Sequence, residues 1–598
     1  NSGFLFDSFV SNNHDLDLTY THGKMTYYGK LGYANWQGIW KEQDIATNYV
    51  SGSQAGDNAT TYIASATLDC KHSYNDHFYW SAGADLALTE KQTIGVKYDG
   101  YNIHQPMPFK MTSYAMTNNH VDDNVTGNNK FFYYDWQHHV NAFYQGKYGE
   151  KWKLNFFGDF VKLHTEQGQF VDEVSEREAA STQQEARNKF TLLPQSDGTI
   201  WGAKARANYT INDKQTWMMG AEYNYVKSES RTDYTPADKG TSTHSITKEN
   251  HAAVFAEYSL DFKPFSLRVG LRYEHVDSRL NYLKDETGRT GIGRIGSFEN
   301  GNSEIGRTGT GTPGTASTEA PLHRKYDNLY PSLLLTHQSG RFSQSLSYRS
   351  SEIRPSFQEL NTGMVYANHY MRQVGNSQLE PSQRHEFQYQ ASYGDLFLQA
   401  SYTYVKDYIT SIIEPYSDDP QTGYITWTNI DHCWNWGSFL GYRHRWGFYE
   451  PQVQAGIQQG FIKAISMGKE KSFHDPYYIF SLYNGFHLPK GWYLNLSFSY
   501  RSSGTYEYLT INSVHNFDFQ LYKSFLKDRL SLSLNVSDIF NTKRYKTDGT
   551  YGNVRFQQQK WEDTRSVQLR LTYRFNQAKK QYRGENSAQE AVGRMGGK

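Results

Sequence analysis

Val567-Gln568-Leu569-Arg570-Leu571-Thr572-Tyr573-Arg574-Phe575 is the stretch that decides how this chain folds. Apolar residues stand at 567, 569, 571, 573 and 575, with Gln, Arg, Thr and Arg between them. A β-strand turns successive side chains to opposite faces, so this segment has one apolar face and one polar or charged face. A single strand of this kind could cover a soluble core, but the pattern recurs along nearly the whole chain. Leu396, Leu398, Ala400, Tyr402 and Tyr404 alternate with Phe397, Gln399, Ser401 and Thr403. The runs 252–260, 265–273, 492–500 and 530–537 repeat it. Each covers the roughly 9–11 residues that a tilted strand needs to cross a bilayer. Many such strands describe a barrel with lipid outside and water inside.

Composition points the same way. Only 37% of the 598 residues are hydrophobic, and the mean hydropathy is -0.77. No run of about 20 apolar residues exists to form a transmembrane helix. Yet 16% of the residues are aromatic, including 48 Tyr and 13 Trp. Disordered chains are poor in aromatics, whereas membrane barrels place Tyr and Trp at both interfaces. The 15 prolines suit a chain of hydrogen-bonded strands. A formal net charge of zero removes the electrostatic basis for nucleic-acid binding.

Connections come in two alternating kinds. Tight ones include Thr21–Lys24, Glu90-Lys91, Tyr148–Lys151, Asn212–Lys214, Ser339–Arg341, Gly394-Asp395, Pro489–Gly491 and Lys527-Asp528, with residues suited to hairpin turns. Between them lie long polar segments near 41–76, 100–130, 167–197, 228–248, 280–325, 352–382, 502–513 and 541–563. Short turns at one end and long loops at the other are the asymmetry of outer-membrane barrels. Counting back from residue 576 predicts an all-β, transmembrane antiparallel barrel of about 22 strands. Its turns are periplasmic and its loops extracellular. The first strand, roughly Gly3 to Val10, is too short to span. Residues 577–598 read as a polar periplasmic tail, basic at first and hanging free. A barrel of this width normally holds a plug in its lumen, and no plug-like α/β segment is visible. The chain opens at Asn1 without Met or an apolar leader.

Short motifs offer no chemistry. Gly309–Gly314 matches G-x-G-x-x-G, but a Gly/Thr/Ser-rich loop surrounds it, and 284–320 reads as a flexible loop. His385-Glu386 begins like a zinc motif, but position 389 is Tyr and the segment alternates like a strand. His138 and His139 are adjacent on a strand and point to opposite faces, so they cannot share a metal. His72 and His77 read as loop residues, and Met107, Met111 and Met116 as packing groups. Cys70 and Cys433 are the only cysteines, far apart in strand order, and their pairing stays open. The lumen face carries Arg268, Arg272, Arg443, Arg501, Gln568, Arg570 and Arg574. They are expected to line a hydrated wall, paired with neighbouring acids. The sharper alternative is a guide for an anionic solute. No catalytic, cofactor or metal site is expected.

Four local sequences resemble the barrels of TonB-dependent receptors, in the form common in Bacteroidetes. Arg354–Asn361 (RPSFQELN) resembles that family's mid-barrel loop motif. Gly375–Pro381 (GNSQLEP) resembles its "GNPxLxPE" segment, with Ser377 and Ser382 where Pro and Glu are usual. Asn535–Thr542 resembles the penultimate strand and its exit, and Leu571–Asn576 the closing strand. The likeness spans roughly residues 1–576. It implies energised uptake of a scarce solute such as a metal chelate, glycan or peptide. It implies outer-membrane lipid, TonB and an unknown small solute as partners, and admits a surface lipoprotein. The family's N-terminal plug and TonB-contacting box are not visible, so they are expected upstream of Asn1. The alternative is a passive plugless porin or a surface adhesin.

Overall fold

The computed structural model describes residues 2–50, 60–177, 187–240, 242–283, 322–415, 419–575 and 582–596. The Gly/Thr/Ser-rich segment 284–320, with its G-x-G-x-x-G match, lies outside the described residues. The wall begins with β1 (Ser2–Phe6), β2 (Val10–His22), β3 (Met25–Val50), β4 (Thr60–Thr89), β5 (Gln92–Thr117), β6 (His120–Tyr148) and β7 (Trp152–Ser175). It continues through β8 (Arg187–Asn212), β9 (Gln215–Thr235), β10 (Thr243–Phe262), β11 (Phe265–Tyr282), β12 (Leu322–Ser339) and β13 (Phe342–Ile353). The next connection carries helix α1 (Phe357–Leu360) and the short strands β14 (Val365–Asn368) and β15 (Met371–Gln373). The wall resumes with β16 (Ser382–Tyr393), β17 (Leu396–Pro415), β18 (Gly423–Arg443) and β19 (Tyr449–Ser466). After the arm β20 (Lys469–Phe473) come β21 (Tyr477–Leu488) and β22 (Trp492–Arg501). The arms β23 (Gly504–Tyr506) and β24 (Leu509–Ile511) precede β25 (Val514–Phe525) and β26 (Leu530–Ser537). Finally, β27 (Tyr545–Tyr551) and β28 (Val554–Glu562) precede the last wall strand, β29 (Ser566–Tyr573).

Twenty-two antiparallel wall strands close the barrel. Closure comes from β29 pairing with β1, Leu569 opposite Phe4 and Arg570 opposite Gly3. On the other side of β29, Leu534 lies opposite Leu569 and Leu532 opposite Leu571. These rows put the apolar residues on one face. Leu569 and Leu571 are 39% and 47% exposed there, as the alternation of the closing strand predicts. On β7 the other face is buried: Asn155, Phe157, Asp159, Val161, Leu163 and Thr165 point inward, while Phe156 points out.

The tight connections fall where expected. At several of them a glycine takes the left-handed conformation that a side chain would oppose, as at Gly23 (φ 57) and Gly394 (φ 59). The long segments depart from expectation. Much of 41–76, 100–130, 167–197 and 228–248 is paired strand, and β4 and β6 reach 30 and 29 residues. Above the apolar band nothing requires an apolar outer face, so alternation fades while backbone pairing continues. The β5–β6 hairpin closes through Asn118 and Asn119, both at positive φ. The first strand also differs. β1 ends at Phe6, because Asp7–Phe9 turns the chain, and Val10 already belongs to β2.

Two segments enter the lumen. The first is the β13–β16 connection, which crosses it. The second is the C-terminal segment 582–596, which ends in helix α2 (Gln589–Arg594). Ala588, Ala591, Val592 and Met595 pack with Phe357 against the inward residues Val161, Leu163, Ile200 and Val226. Residues 582–596 therefore do not hang free, as the polar reading of the tail supposed. Four apolar side chains on one side of a short helix outweigh the polar average of the segment.

Candidate functional site: the filled side of the lumen

The crossing segment is held by its own sequence. Ser356 and Glu359 form a capping box that starts α1: Ser356 Oγ accepts from the Glu359 N–H at 3.2 Å, and Glu359 Oε2 accepts from the Ser356 N–H at 2.7 Å. The Gly375 and Asn376 amides then donate to the Asn361 and Glu359 carbonyls at 2.9 and 2.6 Å. The segments 354–361 and 375–381 thus fold as one unit. Gly375 is required here, since a Cβ would sit 2.6 Å from the Glu359 carbonyl oxygen and closer still to that of Asn361. β15 pairs in parallel with the start of β18. The far end of the crossing reaches β6 and β7. Tyr366 Oη donates to Glu173 at 2.6 Å, His369 Nδ1 lies 3.1 Å from it, and Tyr370 Oη donates to Asp123 at 3.1 Å. Since β18 and β7 are nine wall strands apart in a ring of twenty-two, the segment is a crossbar.

Glu173 is fully buried. It stands about 21 residues above the β6–β7 turn, roughly 50 Å at normal strand rise and tilt, well beyond the apolar band. Burial pushes its carboxyl up, but contacts from His369, Tyr366 and Asn129 more than offset this and hold it below the ordinary carboxylate value. The same burial raises the Tyr366 and Tyr370 phenols well above theirs.

The C-terminal segment climbs the wall from β3 to β10. Tyr582 meets Tyr28 edge-on and donates to the Asn141 carbonyl oxygen at 2.9 Å. Arg206 donates to Glu585 at 2.5 Å. The Ser587 N–H and hydroxyl both donate to Asp159, the N–H at 2.9 Å. At the top, Arg594 donates to both oxygens of Glu249 at 2.5 and 3.1 Å, and to the Pro355 carbonyl at 3.1 Å. Arg354 donates to Glu249 at 2.6 Å and to Glu590 at 2.6 Å. Arg594 also lies over the Phe357 ring, 4.7 Å from its centroid. Glu249 is 2% exposed, so its charge is balanced almost wholly by these two guanidiniums. Wall, crossbar and C-terminal segment together enclose a cavity of about 280 Å³, bordered by Thr165, Gln195, Ser230, Asn361, Gln373 and Gly596.

The lumen residues expected from sequence are scattered. Arg268 on β11 pairs with Glu257 on β10 at 3.3 Å. Arg272 contacts Glu274 and, at 3.5 Å, Glu222 on β9. Arg443 donates to Glu450 at 2.7 Å, Arg501 to the Asn512 carbonyl at 3.1 Å, and Gln568 accepts from Asn535 at 3.2 Å. Arg570 and Arg574 are exposed. Running from β11 to β29, these residues form no single cluster. His138 faces outward beside Tyr98, while His139 faces inward between Asp99 and Asp159. Met111 is buried among Ala66, Val171, Leu192 and Tyr366. Cys70 and Cys433 are both buried free thiols. Among the described residues, no group of three or more His, Cys, Asp or Glu is placed to hold a metal.

The residues that fill the lumen were missed from sequence. One signal was available: 588, 591, 592 and 595 follow the i, i+3, i+4, i+7 spacing of an apolar helix face.

A family model described as the outer membrane protein beta-barrel family matches residues 146–573. The chain belongs to that family. This outer-membrane barrel also superposes on solved structures of similar fold. It is similar to the ferric yersiniabactin uptake receptor FyuA from Yersinia pestis, with a TM-score of 0.58 and 12% identity, over 95% of this chain and 78% of that one. It is similar to the copper transporter OprC, with a TM-score of 0.58 and 11% identity, over 94% and 80%. The FrpB iron transporter from Neisseria meningitidis gives 0.53 and 13%, over 96% and 81%. At these identities the likeness is one of fold. No curated protein matches the sequence.

Proposed function

We propose that this barrel is the translocation domain of a TonB-dependent transporter of the type common in Bacteroidetes. In this reading it carries a scarce solute such as a metal chelate, glycan or peptide, and does no chemistry on it. The observation that carries the reading is the closed barrel of twenty-two strands with a crossbar inside, held by the motifs at 354–361 and 375–381. A passive pore has no need of a built obstruction. FyuA is named as an uptake receptor, and OprC and FrpB as transporters. The outer arms supply a polar recess of about 380 Å³ lined by Gln43, Asn512, Asp548 and Gln557, suited to a hydrogen-bonding solute. A plug and TonB-contacting box upstream of Asn1, and a surface lipoprotein above the loops, complete the proposed assembly.

The test is uptake in cells with and without TonB. Energised transport requires uptake to vanish when TonB is lost. Uptake that persists without TonB, from a gene encoding only a leader before Asn1, would replace the transporter with a passive porin.

A further inference from the structure

We propose that residues 582–596 are a resident stopper, a peptide segment that docks on the inner wall from β3 to β10 and narrows the solute path while seated. The proposal rests on the reading that the lumen is that path. Three independent features of the wall match this segment. The first is shape. A Cβ at Gly198 would collide with Met595 Sδ, and one at Gly202 would lie 2.7 Å from Ser587 Oγ. Glycine at both positions leaves room for a chain lying against the wall. The second is charge. Arg594 meets Glu249, Glu590 meets Arg354, Glu585 meets Arg206 and Lys204, and Ser587 meets Asp159. These four polar groups of the segment each meet a wall or crossbar partner of complementary sign or donor character. The third is the apolar face. Ala588, Ala591, Val592 and Met595 cover inward residues of β7, β8 and β9 that would otherwise be apolar patches in a water-filled lumen.

The experiment uses the full chain in planar bilayers, compared with a deletion after Phe575 and with Ala588→Asp, which places a charge in the apolar face. Heat-modifiable migration confirms that each barrel is folded. The deletion should raise conductance several-fold, and Ala588→Asp should approach it. Trypsin should cut after Arg594 slowly in the unaltered protein and at least tenfold faster in Ala588→Asp. Equal cleavage in the two would show that the segment is not seated. Conductances within twofold of one another would show that it does not obstruct. Either result overturns the proposal. Failure of the transporter reading would look different: conductance would still respond to the deletion, while uptake by the full chain would persist without TonB.

Discussion

β3 to β8 run for 24 to 30 residues, whereas β22, β26 and β29 run for 8 to 10. The tall wall and the low wall share the same alternation near the turns, yet their inner faces differ. On the tall side the inward residues of β7 are buried beneath other parts of the chain, several of them completely. On the low side Arg570 and Arg574 are exposed, and Ser497, Ser533 and Gln568 are half-buried. Two layers of contact separate them. The extra length of β3 to β8 anchors the crossbar at Asp123 and Glu173, whereas the C-terminal segment docks lower on the same strands, at Asn141, Asp159 and Arg206.

The largest expected break in this contrast is Glu249→Ala. It would leave Arg354 and Arg594 buried without their shared carboxylate, at a cost of about 3–5 kcal/mol. Glu450→Ala removes the partner of Arg443, whose side chain is 63% exposed, and should cost under about 1 kcal/mol. Equal losses in chemical unfolding of the two variants would erase the distinction. Next come the wall faces. Leu569→Arg, on the outer face of the low wall, should cost roughly 2–4 kcal/mol, while Thr572→Arg on its inner face should be tolerated. Val161→Arg also changes an inward residue, but on the tall side. It should free the C-terminal segment to protease, where Thr572→Arg leaves it protected.

The crossbar should respond to acid. Glu173 is held below its ordinary value of 4.5, so docking favours the ionised form. Its contribution is fully present above that value and is lost as pH falls through the depressed one. Amide exchange at residues 365–373 should rise over that acid window, and Glu173→Gln should flatten the dependence. The smallest effect is expected from Gly202→Ala, which should weaken docking of the C-terminal segment by about 1 kcal/mol through overpacking. Gly158→Ala on β7 meets nothing within 4 Å and should change nothing. Protease protection of the C-terminal segment distinguishes the two.

Sequence reading found the barrel because lipid imposes a strict rule, visible in Val567–Phe575 and in the runs from Ala252 to Ser537. It recovered the strand number and the tight turns for the same reason. It took the upper parts of β3 to β10 for loops, because strands above the bilayer keep their backbone bonds without that rule. It took 582–596 for a free tail because six charged or amide side chains hid four apolar ones at helical spacing. The Glu249 cluster was invisible, since it joins β10, the crossbar and the C-terminus across hundreds of residues of sequence.

The two inner segments divide the lumen unevenly. The crossbar runs from β18 to β6 and β7 and the C-terminal segment lies along β3 to β10, so the uncovered wall runs from β11 round to β2. The seam where β1 meets β29, the place where the two ends of the barrel join, lies near one end of that arc. In the proposed transport, a solute would pass the polar side chains of that wall, Ser533, Gln568 and Arg570 among them, and the seating of one fifteen-residue segment would set how wide the way is.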